Sequence, residues 1–173
     1  MSGPLSNLLS TKSAQTTVPQ IGLNQLVPLR LLSLKHERTE KGDKFNWEFQ
    51  TTAPVQQDGG GQINPGDFGS KQFVTMCMWG KDGLEAAVGR TMTSIGKFMD
   101  ALLGTGDAGN KKGKPERPDL LDPAAAAQNV VQLNPEVVGQ LVGQTLLAEF
   151  KQKTGGYEGT EIAKVHFPGD KQA

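Results

Sequence analysis

The sequence predicts a mainly β chain with helices (α+β): a five-stranded antiparallel barrel, with a helix between the third and fourth strands and a short helical insertion after it. Three observations predict it. Five runs alternate in side-chain character with the period of two that strands show. A longer run between the third and the fourth has helical spacing instead. Stretches rich in Gly, Pro and Asp separate the runs, as turns do. With 173 residues the chain suits one domain. The division read from composition is a flexible N-terminal arm over 1–20, a domain over 21–168 with long loops at 54–70 and 104–119, and a short tail over 169–173.

Residues 1–20 are rich in Ser, Thr and Gln, the composition of a mobile arm in which Leu5, Leu8 and Leu9 offer at most a short docking turn. The first strand, 27–38, sets Leu29 and Leu31 on one face and Leu32, Leu34 and His36 on the other. The pair Gly42-Asp43 signals a turn. In the second strand, 44–52, Phe45, Trp47 and Phe49 oppose Lys44, Asn46, Glu48 and Gln50, so the two runs read as a hairpin.

The stretch 54–70 reads as a flexible loop, because its GGG run is followed by no Gly-Lys-Ser/Thr and no helix, as a phosphate loop requires. In the third strand, 71–79, Phe73, Thr75, Cys77 and Trp79 lie on one face, and Val74, Met76 and Met78 on the other. Both faces are largely apolar, which predicts a strand central to the core. Then Leu84, Val88, Met92, Ile95, Met99 and Leu102 recur every three or four residues, with Gly104 placed to end the helix. Beyond a polar, locally basic loop, Asp122-Pro123 and Asn134-Pro135 each pair an N-cap residue with a Pro at the first helical position. Strands at 145–153 and 160–167 follow around the turn TGGYEG, and Pro168 closes the last. Three strands, a helix, a helical insertion and two strands make the order of an OB-like barrel. Closure would also hide the edges of strands as apolar as 71–79. A helix packed on an open antiparallel sheet gives the same order.

Charge narrows the function. Eighteen basic residues balance eighteen acidic ones, which argues against coating duplex DNA by charge alone. It argues less against holding single strands, where stacking on aromatic rings supplies much of the affinity. One cysteine, Cys77, excludes an intramolecular disulfide and reads as a buried, inert thiol; two histidines exclude the common structural zinc sites. No catalytic residues, metal ligands or cofactors are expected. There is no G-x-S-x-G elbow, His36 and His166 read as solvated strand residues, and Glu37, Glu40 and Asp43 read as a soluble hairpin tip. The start MSGPLSNLLSTKSAQ has no signal-peptide pattern and no run is long enough to span a bilayer, so a cytoplasmic, non-enzymatic binding protein with no membrane partner is expected.

Aromatic residues are the sharpest feature. Phe45, Trp47 and Phe49 share a face and either fill the core or form a stacking platform. If they are core, the binding face carries Lys44, Asn46 and Gln50, and Trp79 and Tyr157 become the exposed stackers. Arg30, Lys35, Arg38, Lys41 and Lys44 flank the first hairpin, while Lys111, Lys112, Lys114 and Arg117 lie in the basic loop. Interleaved acids give both sets a plain solvated reading; the alternative is that they meet phosphates.

The hairpin with KFNWEF, the helical middle and the ending VVGQLVGQTLLAEFKQKTGGYEGTEIAKVHFPG resemble a group of small tailed-phage proteins, some of them encoded near replication or recombination genes and described as single-stranded DNA-binding. The resemblance implies a phage DNA replication or recombination role in the host-cell cytoplasm. It implies single-stranded DNA as partner, with homo-oligomers and phage replication proteins as further partners. Two other classes compete: a virion structural or assembly protein, suited by the long loops and the arm, and a protein-binding adaptor or inhibitor.

Overall fold

A computed structural model describes residues 18–79, 84–104, 120–126 and 131–166. The long strands are β1 (Val27–Thr39), β2 (Gly42–Thr51), β5 (Lys71–Trp79), β6 (Thr145–Gln152) and β7 (Thr160–His166). Two short strands, β3 (Val55–Gln56) and β4 (Gln62–Ile63), pair with each other. The helices are α1 (Leu84–Leu103), α2 (Pro123–Ala126) and α3 (Pro135–Leu141). The chain is therefore mainly β with some helices, and the five long strands and α1 fall where their periodicity puts them.

The long strands form one antiparallel sheet in the order β5-β2-β1-β6-β7. It is not closed into a barrel, which corrects the expectation of closure. Five antiparallel strands leave the two outermost running in the same direction, so joining β5 to β7 would need a parallel ladder, slightly less stable per residue. Helix α1 instead packs against β5, β6 and β7. Its Ile95, Met99 and Leu102 are buried in the same core as Phe45, Trp47 and Phe49 of β2 and Leu29, Leu31 and Leu34 of β1. Trp47 and Phe49 lie parallel at 6.3 Å, and Phe98 of α1 meets both edge-on at 5.4 and 5.8 Å. Burying such rings dominates the core's energetics.

Strand β5 is an edge strand, not a central one. Met76 and Met78 enter the core, but Phe73 and Thr75 on its other face are exposed. Two apolar faces on paper thus became one buried face and one open one. In β1 the pairing with β2 slips between Leu31 and Ser33, leaving Leu32 as an extra, bulged residue. Past the bulge Leu34 joins Leu29 and Leu31 on the core side, so the two faces read by strict alternation are one.

The Gly-rich stretch carries packed structure. Val55 and Ile63 of the β3–β4 pair are buried, and Gly59, Gly60 and Gly61 turn the chain with positive φ that other residues rarely adopt. Residues 19–21 are likewise packed. Ile21 is buried and bridges Gln57, while Gln20 accepts the Thr160 backbone N–H at 3.0 Å. Only residues 1–17 of the expected arm lie outside the described residues. Gly104 ends α1 at φ 72°, and Asn134 caps α3 by accepting the Glu136 N–H at 3.2 Å.

Candidate nucleic-acid interface

The register of β1, β2 and β5 decides which side chains share the outer face, because directly opposed residues in an antiparallel pair point to the same side. Four rows result. Arg30, Gln50 and Lys71 form the first; Ser33, Glu48 and Phe73 the second; Lys35, Asn46 and Thr75 the third; Glu37, Lys44 and Cys77 the fourth. The bulge at Leu32 is what places Arg30 and Lys35, of opposite parity, on this one face. Four cations thus stand against two carboxylates around Phe73, whose ring is 72% exposed at the sheet edge.

Glu48 sits at the middle of the face. It accepts a hydrogen bond from the Ser33 hydroxyl at 3.0 Å and lies 3.3 Å from the Lys71 ammonium. The Ser33 bond first, and then Lys71, hold its carboxyl below the ordinary value, so it stays ionised. In the next row the Thr75 hydroxyl donates to the Asn46 side chain at 2.9 Å, which fixes two polar groups open to a ligand. The face offers cations for phosphates, amide and hydroxyl groups for base edges, and one ring for stacking.

Of the residues expected to bind, the fold brings Arg30, Lys35 and Lys44 together on this face. Arg38 is set apart. It lies beyond the bulge on the other side of β1 and pairs with Asp43 at 2.6 Å. Trp47 is removed from the binding set: it is fully buried beneath the face and has no ring surface to offer. Trp79 pairs through its backbone with Gly42 at the hairpin end, and its side chain lies outside the described residues. So do Lys111, Lys112 and Lys114. Tyr157 is 75% exposed in the β6–β7 turn, at the same end of the sheet as Arg30 and Lys71 but off the four rows.

Two further corrections concern polar groups. Asp43, expected at a solvated tip, is 3% exposed and bonds His36 at 2.6 Å as well as Arg38. His36 also lies on the Phe45 ring at 5.3 Å, and His166 bonds Glu149 at 2.8 Å, so neither histidine is a freely solvated strand residue. Cys77 is half-buried on the outer face, opposite Lys44. Phe73 and Lys71, absent from the expected site, are exposed on this face as Arg30 and Lys35 are. The signal for both was available in the polar face of β2, once β5 is paired to it.

Among the described residues no cluster of His, Cys, Asp and Glu could hold a metal ion, and no helix is long and apolar enough to cross a membrane. The chain matches no protein-family model and no curated protein sequence.

Proposed function

We propose that this protein binds single-stranded DNA across the outer face of β1, β2 and β5, as part of phage replication or recombination. The observation that carries the reading is the exposed Phe73 ring set among Arg30, Lys35, Lys44 and Lys71. An exposed ring at a polar, net-positive sheet face suits a base stacked with its phosphates on either side. An OB-like barrel commonly uses the face of its second and third strands, here β2 and β5, for oligonucleotides, and the sheet order is compatible with such a barrel opened between β5 and β7. The test is fluorescence anisotropy of a labelled oligothymidylate. Wild type should bind, with affinity falling as salt rises. Phe73→Ala should weaken binding by about 1–3 kcal/mol, and Lys35→Ala should flatten the salt dependence by about one unit. No binding by folded protein at low salt would remove this function.

The two open sheet edges favour a second reading, a virion structural or assembly protein whose copies join by strand addition. Concentration-dependent self-association in sedimentation, with no oligonucleotide binding, would select it.

A further inference from the structure

Between the two sheet edges lies a groove of about 800 Å³. Its walls are residues 71–75 of β5 and 160–165 of β7, and Ser94, Lys97 and Phe98 of α1 form its floor. Consecutive residues line each wall, so the groove runs along the strand edges and not across a sheet face. Phe73 and Lys71 belong to both surfaces: they end the second and first rows of the outer face, and they line the groove. The outer face therefore turns into the groove at β5 without a break.

The groove is cationic. Among the described residues Lys71, Lys97, Lys153 and Lys164 line it against a single carboxylate, Glu161, which Lys151 approaches to 3.9 Å. Lys71 already faces Glu48, but among the described residues Lys97, Lys153 and Lys164 make no ion pair. Three unpaired ammonium groups on three different elements, converging on one trough, are arranged for an extended polyanion.

Resting on the single-strand reading above, we propose that the bound strand does not end at Phe73 but continues over the β5 edge into this groove, where Lys97, Lys153 and Lys164 meet its phosphates. Phe73 then stacks a base at the corner, and the neutral overall charge of the protein conceals a local cationic track.

The experiment compares full-length wild type with the triple variant Lys97→Ala/Lys153→Ala/Lys164→Ala against oligothymidylates of increasing length. All three lysines are exposed, so the variant should keep the wild-type thermal midpoint. Its affinity for long oligonucleotides should fall on the order of tenfold at low salt, with the log–log salt slope flatter by about two units for three lost contacts at roughly 0.7 each. The length at which affinity stops rising should be shorter than in wild type, and affinity for the shortest binding oligonucleotide should be unchanged. A wild type that binds, beside a folded variant of unchanged affinity, slope and plateau length, overturns the groove proposal and leaves the outer-face reading standing. A wild type that binds no oligonucleotide overturns both. An oligoglutamate peptide that binds wild type but not the variant, without displacing oligothymidylate, would assign the groove to an acidic peptide and also overturn the proposal.

Discussion

Trp47 and Phe73 sit on adjacent strands, one register step apart and on opposite sides of the sheet, and their environments predict opposite losses. Trp47 contacts Phe49 and Phe98 with no exposed surface, so Trp47→Ala should cost roughly 3–5 kcal/mol in chemical denaturation. Phe73→Ala should change stability by no more than about 0.5 kcal/mol, as exposed positions do, while it weakens oligonucleotide binding. A second prediction concerns Glu48. Its folded-state carboxyl is held below the ordinary value, so its contribution to stability is present above the unfolded value and is lost as pH falls through the folded one. The gap in thermal midpoint between wild type and Glu48→Gln should therefore be small at neutral pH, as for a partly exposed pair worth under about 1 kcal/mol. It should vanish on acidification below the ordinary carboxyl range. At neutral pH the same substitution should tighten oligonucleotide binding, because it removes a negative charge from the centre of the face and releases Lys71. Asp43 shows why such roles are hard to read in sequence. A hairpin tip dense in charge looks solvated, and only the bulge in β1 turns His36 and Arg38 onto the side where Asp43 is buried.

The five strands and α1 were legible because each carries its own period, and the caps at Asn134 and Gly104 because their chemistry is local. What alternation could not show is which strands become edges. Strand β5 has apolar residues on both sides, and only its pairing with the polar face of β2 reveals that Phe73 stays outside. The β3–β4 pair was invisible for a different reason: Val55 and Ile63 are single apolar residues in a polar stretch, buried by partners far away in sequence. Ile21 is one of those partners. It docks on the β3–β4 segment through its bridge to Gln57, and its carbonyl accepts the Thr160 hydroxyl at 2.7 Å, tying that segment to the start of β7. Ile21→Ala should cost about 2–5 kcal/mol as a fully buried truncation. Removal of residues 1–17 should leave the denaturation midpoint nearly unchanged. A midpoint lowered as much by the deletion as by Ile21→Ala would show that the segment before Val18 is packed too.

Across the protein, charge is balanced in sum and uneven in place. Among the described residues, basic side chains gather on the outer face and in the groove, so on the proposed reading attraction for nucleic acid would be local and lost to any ligand too wide to follow the surface. Duplex DNA of equal length should compete for the labelled oligothymidylate far less well than unlabelled single strands; equal competition would argue for a site that senses charge alone. The groove itself could not be read from sequence, since its walls are separated by some ninety residues and meet only because α1 spans them. Its two walls run in the same direction, a result of the odd number of strands. A trough with antiparallel walls looks much alike from either end; one with parallel walls has a head and a tail. DNA strands also have a head and a tail, so the two ways of laying one in this trough are different complexes with different energies. On the single-strand reading proposed above, the trough would distinguish the two strand polarities, and neighbouring copies on one strand would share a heading.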